Sequence, residues 1–64
     1  MKRTKFIKHL NVHNCGFIKH GTKHDKYMNY DNGKRTMIPR HTEIDSDLCA
    51  LICKQLEIPS PSEK

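Results

Sequence analysis

The chain has 64 residues, 34% of them hydrophobic and none of them Trp, and carries a formal net charge of +5. A single domain of this size buries only roughly 60% of the surface that its unfolded chain exposes. That leaves room for one thin core and excludes a deep substrate pocket, so any enzyme built here works at a shallow site on a large substrate.

The charge is unevenly spread. Residues 1–41 hold ten Lys/Arg against Asp25 and Asp31, a balance of +8, whereas residues 42–64 hold two Lys against five acids, a balance of −3. All five histidines fall in the basic part. Such asymmetry points to a polyanionic partner, nucleic acid first, against the plainer reading of a solvated basic surface.

In "TKFIKHLNVHN", Phe6, Ile7, Leu10 and His13 share one helical stripe, with Thr4 as a plausible N-cap. "NCG" ends this helix, and Gly16 is free to take the left-handed conformation there. "FIKH" is a short strand, broken by "GT". "KHDKYMNY" is a second strand. "DNG" is a hairpin turn in which Asn32 and Gly33 tolerate positive φ. "KRTMI" is a third strand, ended by Pro39, which has no N–H to give a ladder.

From Ile44 the period becomes helical, through Leu48, Leu51, Ile52 and Leu56, with Asp45 or Ser46 as cap and Pro59 as stop. Residues 1–58 read as one domain and residues 59–64 as a flexible C-terminal tail. The fold class expected is α+β, in the order α-β-β-β-α. Both helices cover one face of a three-stranded antiparallel sheet, and the other face stays open. Strand alternation assigns Ile38 and Tyr27 to the core and turns His24, Lys26, Arg35 and Met37 to the open face. A register that buries Met28 and Tyr30 instead would also bury Lys26.

Cys15, Cys49 and Cys53 cannot all pair, and Cys49 and Cys53 stand four apart on the last helix as small apolar residues. With no signal peptide after "MKRTKF", this usage suits a reducing cytoplasm. No run approaches the ~20 apolar residues that a membrane span needs. His9 and His13 are spaced i, i+4, but there is no Cys-x-x-Cys pair or finger-like spacing. Neither a metal nor another cofactor is expected.

"GTKHDKY" resembles the Gly-Ser/Thr-x-His segment of HicA toxins, and "TMIPRHTEI" resembles their strand ending in Pro-Arg-His. The likeness runs from about Thr4 to Ile58 and takes in "CGF" after the first helix and "ICKQLEI" at the close of the last. The resemblance implies a fold like a double-stranded-RNA-binding domain. It implies a small bacterial, cytoplasmic endoribonuclease that cuts mRNA without a metal and is neutralised by a HicB-like antitoxin protein. The toxin alone is expected to be monomeric. His24 stands where the family has its catalytic histidine, behind Gly21 and Thr22.

The chemistry fits such an assignment. RNA can be cut by its own 2′-OH if a base takes the hydroxyl proton, cations stabilise the phosphorane, and an acid protonates the leaving oxygen. Imidazole, with an ordinary pKa near ~6.5, can serve as base or acid. Lys23, Lys26, Arg35 and Arg40 are the phosphate-contact candidates. Lys2, Arg3, Lys5 and Lys8 on the first helix can extend the track, as the first helix of such domains contacts RNA. Thr22, His20 and His41 are candidates to assist, and water is another. The alternative reading is a non-catalytic RNA-binding module of the double-stranded-RNA-binding type.

Overall fold

The computed structural model describes residues 1–61. Its elements run α1 (Arg3–Val12), β1 (Cys15–His20), β2 (His24–Asn29), β3 (Arg35–Pro39) and α2 (Ser46–Leu56). The strands form one antiparallel sheet in the order β1-β2-β3. The α+β class and the α-β-β-β-α order expected from the sequence both hold.

Two short amphipathic helices and a half-apolar sheet can hide their apolar stripes only against each other. α1 packs against β1 and α2 against β3. Phe6 and Leu10 of α1 meet Ile52 and Leu56 of α2, together with Tyr27, Ile38 and Ile44, in a single core. The three cysteines complete it, all buried and none in a disulfide. Each fully buried side chain of Leu or Phe size stabilises by roughly 1.5–3 kcal/mol.

The register decides which side chains reach this core. In β2, Asp25, Tyr27 and Asn29 are buried, while His24 is exposed and Lys26 and Met28 are half-buried. In β3, Thr36 and Ile38 are buried, and Arg35 and Met37 are exposed. Lys26 pairs with Met37 and Met28 with Arg35, so these four share the open face with His24. The alternation read from the sequence is therefore correct, and the register that would bury Lys26 is not adopted.

Several boundaries differ from expectation. Thr4 lies inside α1, whose N-cap is Lys2 with no side-chain cap bond. The chain start is held instead by a short ladder to the β3–α2 connection, in which Arg3 N–H donates to Thr42 O and Ile44 N–H to Met1 O. The left-handed residue after α1 is Asn14, at φ 62, not Gly16. Gly16 is already in β1, and a Cβ there would come within 2.9 Å of the Tyr30 ring, so the glycine serves a close approach. In the β2–β3 turn only Gly33 takes positive φ, at 76.

α2 stops at Glu57, which takes φ 59, two residues before Pro59. The carbonyl of Leu56 is capped by the side-chain amides of Asn29 and Asn32, at 2.8 and 3.1 Å. Thr36 donates to Gln55 Oε1 at 2.6 Å. These bonds dock the β2–β3 hairpin on the end of α2. The expected tail begins with an ordered contact, His9 Nε2–H to Pro59 O at 2.8 Å. Its last three residues lie outside the described residues.

Candidate nucleic-acid interface

His24 opens β2, directly after the turn Gly21-Thr22-Lys23. The turn is closed by Gly21 N–H donating to His24 O at 2.6 Å. A Cβ on residue 21 would stand 2.8 Å from that same carbonyl and 3.3 Å from Met37 Cε. Only glycine fits so tight an approach without moving backbone, which gives "GTKH" a physical reason for its first residue. Among the described residues the His24 ring has no hydrogen-bond partner. It stands exposed on the open face, paired with Pro39 and next to the Lys26–Met37 pair.

The open face is cationic without an acid. Its register positions are Gly16 and Lys19 of β1, His24, Lys26 and Met28 of β2, and Arg35, Met37 and Pro39 of β3. Lys19 lies directly opposite Lys26. Like charges placed opposite one another destabilise a sheet, and no carboxylate is bonded to either among the described residues. The fold gains nothing from that pairing, and Lys19 is a member of the set that sequence reasoning left out. Lys23 and Thr22 are exposed in the turn beside His24, and Arg35 is exposed at the start of β3.

The helix-facing side of the same hairpin end is organised differently. Asp25, with a side chain only 9% exposed, meets two guanidiniums and an imidazole. Arg3 Nη2–H donates to its Oδ2 at 2.8 Å, while Arg40 Nε–H and His20 Nδ1–H each donate to its Oδ1 at 2.8 Å. Bonds from Arg40 first, and then from His20, hold the Asp25 carboxyl down at about 2, below its usual 3.8. Arg3 also donates to Pro39 O at 2.9 Å, and Arg40 to the carbonyls of Gly21 and His24.

This arrangement redistributes the expected site residues. Arg40 is tied to Asp25 and to the His24 turn. His20 pairs in register with Asp25 on the helix-facing side, opposite the face that carries His24. His41 is exposed in the β3–α2 connection, and no hydrogen bond joins it to His24 among the described residues. The structure thus groups His24, Lys23, Lys26 and Arg35, and separates Arg40 and His20 from them by face. The Asp25 cluster was missed because Arg40 and Arg3 lie 15 and 22 residues from Asp25, beyond any local motif. Tyr30 lays its ring over Gly16, and its hydroxyl donates to Phe17 O at 3.3 Å, so it packs the hairpin onto β1.

Among the described residues no group of three His, Cys, Asp or Glu is placed to hold a metal ion. Burial first, and then the neighbouring Cys49 and Cys15, push the Cys53 thiol up to about 11, which removes it as a nucleophile near neutral pH. A recess of about 280 Å³ between the first turn of α2 and Ser60–Pro61 carries none of the candidate residues. No helix among the described residues is long and apolar enough to cross a membrane. No family model, curated protein or solved structure matches the chain.

Proposed function

We propose that this protein is a HicA-like toxin, a metal-independent endoribonuclease that cleaves mRNA with His24 and is restrained by a HicB-like antitoxin. The observation that carries the reading is an imidazole with no partner among the described residues, on an acid-free cationic sheet face beside a pair of lysines set against each other. The resemblance of "GTKHDKY" and "TMIPRHTEI" to the HicA segments supplies the reaction class.

In this reading RNA lies across the open face, with Lys19, Lys23, Lys26 and Arg35 along its phosphates. His24 takes the 2′-OH proton, and the 2′-oxygen attacks phosphorus. The cations stabilise the charge gathered on the phosphorane. The 5′-oxygen leaves with a proton from water, the hydroxide so formed takes back the proton held by His24, and the other product ends in a 2′,3′-cyclic phosphate. No lid is needed, since the substrate itself covers the face. Restraint in the cell then comes from a protein that masks His24 and sets acidic groups against the lysines.

One observation favours the non-catalytic RNA-binding module. The His24 ring has no orienting hydrogen bond among the described residues, whereas a general base is commonly held by one. The two readings part in one experiment. A long mRNA, its DNA equivalent and a chelator are tested with wild-type and His24→Ala protein. The toxin reading expects cleavage of RNA alone, undiminished by chelator, and a loss of ~10²–10⁴ in rate for the variant. RNA bound but left intact by the wild type would select the binding module.

A further inference from the structure

We infer that Asp25, with Arg3 and Arg40, is a positioning unit that fixes His24 from the opposite side of the sheet, so that Arg40 serves the site through the His24 backbone. The inference rests on the reading of His24 as the acid–base group. It assigns a task to a buried carboxylate that the phosphate-contact picture leaves idle.

The geometry is a clamp. One Asp25 carboxylate holds two guanidiniums, one on each oxygen. Each guanidinium then reaches the backbone at the His24 position. Arg40 donates to the carbonyl of His24 itself at 3.4 Å and to that of Gly21, the first residue of the turn. Arg3 donates at 2.9 Å to the carbonyl of Pro39, the residue paired with His24 across β2 and β3. The two backbone segments that meet at His24 are therefore tied to one anion, and through Arg3 to the start of α1.

Such a clamp answers the want of an orienting bond on the His24 ring. A side chain whose ring is free can still be aimed by fixing its backbone, and a misplacement of about 1 Å can cost ~10²-fold in rate. The sequence offered Arg40 as a phosphate contact. That role needs its guanidinium to face the substrate, but three of its N–H bonds are already given to Asp25, Gly21 and His24.

Charge separates the two roles. Asp25→Asn removes a negative charge and leaves both arginines in place. A phosphate-contact Arg40 then binds RNA as well or better, with kcat unchanged. A positioning Arg40 loses its anchor, and kcat falls about tenfold or more while KM stays within about twofold. Arg40→Gln, the second variant, should repeat that split, whereas loss of a phosphate contact would raise KM instead. Amide hydrogen exchange at Gly21 supplies a readout independent of cleavage. It should speed up in both variants while the amides of Tyr27 and Ile38 stay protected.

Wild-type kcat in Asp25→Asn, or a KM effect alone in Arg40→Gln, would overturn the inference. So would Gly21 exchange at the wild-type rate in whichever variant folds. If the wild type fails to cut RNA, the proposed function falls. Gly21 exchange then still decides whether the clamp holds the turn.

Discussion

The two sides of the sheet treat charge in opposite ways at the same hairpin end. On the helix-facing side, Asp25 gathers Arg3, Arg40 and His20 around one carboxylate. On the open side, Lys19, Lys26, Arg35 and His24 meet no acid among the described residues. Alternate residues of one six-residue strand face opposite ways, Asp25, Tyr27 and Asn29 into the fold, and His24, Lys26 and Met28 onto the open face that the proposed function gives to RNA. Under the proposed function, the cations that meet no acid on the open face are the contact surface for a partner from outside.

The comparison can first be broken on the helix side. Phe6→Ala opens the common core and should cost about 3–5 kcal/mol, against a total of roughly 3–10 kcal/mol for a domain of this length. Denaturant titration should find the variant largely unfolded. Arg35→Ala on the open face should stay within about 0.5 kcal/mol of wild type, since Arg35 answers no acid among the described residues.

Acid should find the same side. Asp25 titrates at about 2 in the folded protein, held there by Arg40 and His20, against 3.8 ordinarily. Between those values the unfolded chain takes up a proton that the folded chain refuses. The stabilisation is therefore complete above about 4 and is lost as pH falls towards 2. Thermal melts from pH 5 to pH 2 should show that decline, and Asp25→Asn should remove this part of it. An identical pH dependence in the variant would show that the bonds from Arg40 and His20 are not what hold Asp25.

Much of this division was legible in the sequence. Strand alternation alone put Tyr27 and Ile38 inside and His24, Lys26, Arg35 and Met37 outside. What it could not supply was long-range. Asp25 looks like a solvated acid in a basic stretch, because Arg3 and Arg40 come from other elements. The start of α1 looked like a Thr4 cap because a tertiary ladder to residues 42–44 leaves no local mark. Gly16 was read as a helix stop, when the Tyr30 ring that requires it lies 14 residues on. In α2 the buried stripe runs through Cys49, Ile52, Cys53 and Leu56, and Leu51, apolar and in phase with Leu48, is exposed.

The smallest effect tests the open side most delicately. Lys19→Glu replaces a like-charge pair with an attractive one, worth a few tenths of a kcal/mol in favour of the fold. The same change should weaken RNA binding and make the log–log salt slope shallower by about 0.7 for one lost single-strand contact. A more stable protein that binds RNA less well would mark Lys19 and Lys26 as placed for a ligand. If RNA affinity proves unchanged, the open face is not the binding surface.

The central claim sets two histidines against each other, four residues apart in the hairpin and on opposite faces. His20 holds Asp25 at 2.8 Å and belongs to the fold, whereas His24, on the cationic face, has no partner among the described residues. The direct measurement is the rate of cleavage of one long mRNA by folded His24→Ala and His20→Ala proteins at equal concentration. The account predicts a loss of ~10²–10⁴ for His24→Ala and a much smaller loss for His20→Ala. Cleavage that survives in His24→Ala and disappears in His20→Ala would contradict it, and would move the chemistry to the other side of the sheet.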